Sequence, residues 1–477
     1  MTARWRWFAT LWGFSILFHL LNAGPMYRMF AHPRAASWWG LAIGVLAVAL
    51  IARPDSLVAL AGLGVAVPVL AWFEAPVMGN HWLVVTLISV AFLLTLVIEV
   101  VRSRSMRGNL VDVETALMPV ARAVFFVFYT CTTLSKINRA FLNPVVSCAT
   151  FFTDETARSL GWKSLDTAAS PFWGRAIAIA VIVIELSVVA LLIVRRTRVL
   201  GVFVAVLFHG VIGLDGAHSF ADFSALVYAL LLLFLPADFF VAVIDRFARF
   251  AQVVGRIVRL ICGAVLVLVL VLQGLTLSNT WAHAMADVRN VIWRLFSLGA
   301  ALVMGWYLLR RGGIGVDPSE RVSVLPTARW VLVIPVIALL NGVTPYVGVK
   351  TAYSWNMYSN LVTAPGRGNG LLVPTSWQWT SRQQDLVQVV ESSDAGLSMY
   401  ATDGYLLTMT TLRAYTSSHP DASLTYVRAG VRTMVPSTAA DPLLSHPVGG
   451  WEKRVFAYRS IDENAPVRCQ PYFYPAG

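Results

Sequence analysis

The chain has 477 residues, 57% of them hydrophobic and 13% charged, with a mean hydropathy of +0.67. Soluble domains carry about 25% charged and about 45–50% apolar residues, so composition excludes an ordinary soluble globule. The 37 basic side chains outnumber the 25 acidic ones, but the arginines sit between apolar runs, which reads as membrane topology and not as a nucleic-acid surface.

Crossing about 30 Å of hydrocarbon takes about 17–25 apolar residues. In chain order the runs are 5–23, 38–52, 56–73, 82–101, 117–134, 176–194, 199–214, 220–236, 260–277, 291–309 and 331–346, about eleven in all and several of them short. The first lacks a small-residue cleavage site after it and is read as a retained helix. Arginines 4 and 6, 53, 102/104/107, 195/196/198, 246–259 and 310/311/321 fall in alternate loops; Arg28, Arg34 and Arg139 are mild exceptions. The positive-inside rule then predicts a cell-membrane protein with a cytoplasmic N-terminus and everything after residue 346 outside. Residues 239–259 place Phe239, Phe240, Val243, Phe247, Phe250, Val254 and Ile257 at helical spacing against four arginines, as in a helix lying on the cytoplasmic leaflet.

From residue 350 the texture changes. Alternating stretches at 371–379, 386–390, 405–412, 424–427 and 454–458, separated by Gly, Pro, Ser and Asp, predict strands. The expected architecture is a polytopic all-α membrane bundle over residues 1–348 with an extracytoplasmic β-rich domain over residues 349–477. Cys131, Cys148, Cys262 and Cys469 have no CxxC or metal-ligand spacing, which argues against a disulfide scaffold or structural zinc, and Cys469 has no partner within its own domain.

Ionisable groups inside a membrane are functional suspects. Only four lysines occur, and Lys136 stands out at the outer end of the run 125–135. Burial would favour a neutral amine there, usable as a general base; the competing reading is a lysine snorkelling to the interface. His81, which follows Asn80 at the start of a span, and His209, two-thirds along another, map to the same outer depth. Each alone is more often a packing histidine than a catalyst, and shared depth does not prove contact. Glu185, near the middle of its span, should be protonated or paired; of orienting a catalytic group, binding a proton or bonding a neighbouring helix, a structural role is favoured. Asp215, His218 and Asp222 form a loose potential metal set without a clear ligand pattern. GxSxG, HExxH and Walker motifs are missing, and residues 366–370 read as a flexible glycine turn.

Together, Asn80-His81, Leu134-Ser135-Lys136-Ile137-Asn138, the stretch from Glu185-Leu186-Ser187 through Arg195–Gly201 to Phe208-His209, and Pro345-Tyr346 with Tyr353-Ser354-Trp355-Asn356-Met357 resemble the HTTM domain. This is the superfamily of the vitamin K-dependent γ-glutamyl carboxylases. The resemblance implies a carboxylase in which Lys136 deprotonates a reduced vitamin K or menaquinol. The quinol anion reacts with O2, and the base so formed removes a glutamate γ-proton for capture by CO2. It also implies that His81 and His209 belong to the active centre, with Asn80 and Glu185 in support. Membrane lipid, a lipid quinone and an exported peptide or protein are the implied partners. Two departures stand out: Ser135 precedes Lys136 where the family has a second lysine, and the external portion is short.

Three other classes fit the composition. A lipid-linked glycosyltransferase would need acidic residues in the first outer loop, and residues 22–37 contain none. A proton-coupled transporter would lean on Glu185, but no repeat is evident. A noncatalytic membrane scaffold is the last.

Overall fold

The computed structural model describes residues 2–470 apart from 22–25, 27–28, 31–32, 104–109, 164, 217, 219, 248–262, scattered positions within 265–278, residues 311–328 and 447. The expected span at 260–277 and the second half of the expected interfacial helix lie largely outside the described residues.

The helices are α1 (Ala3–Leu20), α2 (Ala35–Ala52), α3 (Leu57–Glu74), α4 (Asn80–Ser103), α5 (Leu110–Ser135), α6 (Cys148–Ser159), α7 (Pro171–Ile193), α8 (Arg198–Ile212), α9 (Phe220–Leu231), α10 (Ala237–Arg246), α11 (Asn279–Arg310) and α12 (Val333–Val343). Serines open several of them: Ser56 accepts from the Ala59 amide, Ser147 from Ala149, and Ser170 from Trp173 with Pro171 at the first helical position. Helices suit an apolar solvent because their backbone groups are paired internally.

Six of these helices are long and apolar enough to cross a membrane, or seven if the bent pair at α9–α10 is one span. The expectation of about eleven is therefore met only in part among the described residues. Two expected spans form helices that are too short: α8 has 15 residues and α12 has 11, or about 22 and 17 Å at about 1.5 Å per residue. The expected span at 220–236 ends at a break near Pro236, where the axis turns by 107° into α10. Arg122, buried in α5, donates its Nε and Nη2 to the Leu233 carbonyl at this break, satisfying an acceptor the helix no longer covers.

α5 is the central helix, with 67% of its apolar window buried against 22% for α7 and α11. The core around it draws on α1–α5, α8 and α9 and includes Trp5, Trp82, Phe125, Phe128 and Phe234. α7 and α11 carry exposed apolar side chains such as Phe172, Val183, Leu295 and Leu302, the pattern of a lipid-facing surface.

The C-terminal region holds an antiparallel sheet in the order β4-β3-β1-β2-β5, built from β1 (Leu386–Ser392), β2 (Tyr405–Thr408), β3 (Leu424–Arg428), β4 (Val431–Val435) and β5 (Ile461–Asp462). Val387 pairs with Leu407 and Val389 with Tyr426, and these side chains pack with α13 (Ala395–Asp403) and α14 (Met409–Thr416) into a second core. Three strand expectations need correction. Residues 409–412 turn helical because Thr408 caps α14 through the Thr411 amide. Residues 371–379 spend their backbone on the bundle instead of the sheet: Leu371 N donates to Ile137 O and Trp379 N to Val347 O. Residues 454–458 begin inside the short helix Glu452–Val455, and beyond it the Ala457 carbonyl accepts from the Thr351 and Ala352 amides.

Cys469 does have a partner, and it lies in the bundle. A disulfide joins it to Cys148 at the start of α6, 321 residues earlier. Cys469 has no partner within its own region, as expected; spacing argued against a disulfide scaffold, and this single link runs between regions, where spacing within either one cannot reveal it.

Candidate functional site

The site begins where α5 stops. Lys136 follows the last residue of α5 in a tight turn, its amide donating to Thr133 O and that of Ile137 to Leu134 O. Asn138, fully buried, holds the turn: its Nδ2 donates to Ser135 O at 2.9 Å and to Ser359 O at 2.5 Å, and its Oδ1 accepts from Phe141 N at 2.8 Å. This fixes Lys136 pointing inward, with Nζ 2.5 Å from Glu185 Oε1 on α7. Both residues are 7% exposed. The other carboxylate oxygen, Oε2, has no hydrogen-bond partner.

Lys136 and Glu185 line a cavity of about 520 Å³ together with His81, His209 and Asp222. The predicted catalytic side chains, drawn from α4, α8 and the end of α5, thus meet at one chamber. Its other walls are aromatic, among them Phe128, Phe152, Phe208, Phe220 and Phe223. Three lining residues are open to the exterior, Trp162 at 62%, Leu165 at 54% and Val211 at 56%, and they mark an apolar mouth. His209 Nε2 is 2.9 Å from the Tyr129 hydroxyl, while its Nδ1 has no hydrogen-bond partner. Asn80 is buried beside His81 but does not line the cavity.

A second cluster adjoins the first. His81 Nε2 lies 3.0 Å from His19 Nδ1 and 3.2 Å from Asp222 Oδ2, and His19 Nδ1 is 3.5 Å from the same Asp222 oxygen. The His19 ring is stacked on Trp82 with centroids 3.9 Å apart, and its Nε2 faces Glu74 Oε2 at 3.9 Å. The loose set Asp215, His218 and Asp222 does not assemble: His218 Nδ1 pairs with Asp215 Oδ2 at 3.0 Å, and Asp222 turns to the histidines instead. His19, Glu74 and Tyr129 were not singled out by sequence reasoning. For His19 a signal existed, since it is a histidine inside an apolar run.

The C-terminal region closes the chamber. Met357 and Tyr358 line it, as does the disulfide-bonded Cys148. Tyr353, Trp355, Tyr358 and Asn360 all have positive φ, between 37° and 56°, a region costly for bulky side chains. Packing holds them there: the Trp355 indole donates to Ala338 O, Asn360 Oδ1 accepts from the Cys148 amide, and its Nδ2 donates to Val146 O. Nearby but outside the cavity, Lys350 is buried, donates to Asn341 Oδ1 at 2.5 Å and lies over the Tyr353 ring. Burial pushes its amine down to about 7. Sequence reasoning singled out Lys136 alone among the lysines.

Chemically, the chamber offers a lysine beside a carboxylate, two histidines, and room for an amphiphile entering through an apolar mouth. Such convergence of a few polar groups in an apolar pocket is the usual form of a small-molecule site. No protein-family model, no curated protein and no solved structure matches the chain.

Proposed function

We propose that the protein is an integral membrane enzyme that binds a reduced quinone in this chamber and uses Lys136 as the base toward it, in a γ-carboxylase-like reaction with O2 and CO2. The observation that carries the reading is the meeting of Lys136, Glu185, His81 and His209 at one cavity with an apolar mouth.

The chamber fits a quinol in size and character. Its volume of about 520 Å³ falls within the range of about 300–1,000 Å³ common for such ligands. Aromatic walls suit a flat ring, and the exposed Trp162, Leu165 and Val211 suit a prenyl tail leaving toward lipid. A bound quinol would supply the reducing power: one quinol and one O2 leave as one quinone epoxide and one water, while a C–H bond and CO2 become a carboxyl group. Lys136 Nζ, once its own proton has passed to Glu185 Oε1 2.5 Å away, is the proton acceptor for a phenolic hydroxyl. The ammonium so formed keeps Glu185 as its hydrogen-bond partner. His209, held by the Tyr129 hydroxyl, lies across the same chamber. The aromatic walls keep bulk water from the reacting atoms.

The same reading places the C-terminal region outside the cell and the chamber near the outer leaflet. Two features support that side: the alternation of arginine-bearing loops, and the Cys148–Cys469 disulfide, a bond characteristic of oxidising compartments.

The test uses purified protein in detergent with menaquinol, oxygen and bicarbonate, following the quinone product by mass spectrometry. Wild type should form quinone epoxide. Lys136→Ala should lower the rate by about 10²–10⁴, the usual contribution of a positioned base, while remaining folded and extractable. Undiminished turnover by that variant would overturn the mechanism.

A further inference from the structure

We propose that His19, His81 and Asp222 form a binding site for one divalent first-row transition ion, with its open side toward the cavity. The site is built from the ends of three helices, α1, α4 and α9, which bring the side chains together at one level.

The geometry is that of one face of a coordination polyhedron. Ligand atoms about 2.0–2.1 Å from a shared ion stand about 2.8–3.0 Å apart in octahedral sets and about 3.3–3.4 Å apart in tetrahedral ones. The three distances here are 3.0, 3.2 and 3.5 Å, among His19 Nδ1, His81 Nε2 and Asp222 Oδ2. Two imidazoles and one carboxylate suit zinc and ferrous iron alike.

Hydrogen bonding alone leaves this triangle unsatisfied. A proton on His19 Nδ1 aimed at His81 Nε2 turns a lone pair of His81 toward the Asp222 carboxylate. Protons on both nitrogens, each aimed at Asp222, point two N–H groups at one another across 3.0 Å. A cation at the centre satisfies all three atoms at once. Charge favours it as well: the carboxylates of Glu74, its side chain 8% exposed, and of the buried Asp222 face the cluster, and among the described residues the guanidinium interacting with Asp222 is that of Arg289. Buried negative charge needs a partner.

The surroundings are arranged as around a metal. Stacking on the fully buried Trp82 fixes the plane of the His19 ring. The far nitrogen of that ring, Nε2, has no hydrogen bond and faces Glu74 Oε2, itself unpartnered, at 3.9 Å. A carboxylate behind a ligating histidine is the common second partner of such ligands. His81 and Asp222 line the cavity while His19 does not, so the remaining coordination positions open toward the cavity.

This inference goes beyond the quinol reading and is tested without any quinone. The full chain, purified in detergent and stripped with chelator, is titrated with Zn2+ alone and, anaerobically, with Fe2+ alone. Bound ion is counted by elemental mass spectrometry after gel filtration. One ion per chain is expected, with a raised unfolding midpoint. His19→Phe and Asp222→Asn should abolish retention, Glu74→Gln should weaken binding by about 10–100-fold, and Lys136→Ala should bind as wild type. Should the ligand variants fail to fold, Co2+ added to wild type gives the deciding readout, because histidine and carboxylate ligation changes its visible absorption. Wild type retaining no ion, equal retention by Asp222→Asn, or cobalt with the spectrum of the free aqueous ion would each overturn the proposal and leave a shared proton as the cluster's only cation.

Discussion

Removing one half of the Lys136–Glu185 pair tests whether the two act as a unit. The charged atoms are 2.5 Å apart and both residues are 7% exposed. At an effective dielectric of about 20, charges at that separation attract by about 7 kcal/mol, most of which offsets the cost of taking them out of water. Truncating one partner leaves the other buried and uncompensated, at a cost of about 3–5 kcal/mol, whereas replacing both by apolar groups of similar size is often close to neutral. Glu185→Leu and Lys136→Met should therefore each lower the unfolding midpoint of the purified protein in detergent. The double variant should recover most of the loss. Single-variant losses that simply add in the double variant would refute the pairing and the reading of Glu185 as the proton partner of Lys136.

Two further outcomes follow from the region outside the bundle. Peptide mapping without reduction should recover Cys148 linked to Cys469 and leave Cys131 alkylatable after unfolding; Cys469→Ser should cost about 6 kcal/mol on a chain-entropy estimate for so long a loop, read as a lower unfolding midpoint. The buried Lys350 amine is lowered from its ordinary 10.5 to about 7, so between those values the unfolded chain holds a proton that the folded chain has released. Stability should rise with pH across that window, by up to about 1.4 kcal/mol per unit, and Lys350→Met should flatten the slope of unfolding midpoint against pH; an unchanged slope would sink the assignment.

What the sequence revealed and what it hid follow from the physics of each signal. Arginine-bearing loops and span lengths bear only on expected depth along a membrane normal, where they put Lys136, His81 and His209 at one level; the structure has all three lining one cavity. Depth carries no information about which faces of the helices meet. The partnerships of Lys136 with Glu185, His209 with Tyr129 and His81 with His19 arise from packing between separate helices, and none was legible. In the C-terminal region, β1 and β3 were readable because Val387, Val389, Leu424 and Tyr426 alternate into one core. β4 escaped because it is an edge strand with Val431 and Met434 exposed, so its alternation carries no burial signal. The run 199–214 gives a helix of 15 residues, shorter than a full span, since apolar composition marks a helix without fixing its length.

The bridge between Cys148 and Cys469 has a bearing on how the molecule is made. At about 5–20 residues per second, the ribosome needs tens of seconds to add the 321 residues that separate the two thiols. Throughout that interval Cys148 waits at the rim of a half-built vestibule, which the segment bearing Met357 and Tyr358 has yet to roof. The chamber is thus completed late in synthesis, and the nascent chain carries its walls before it carries its roof.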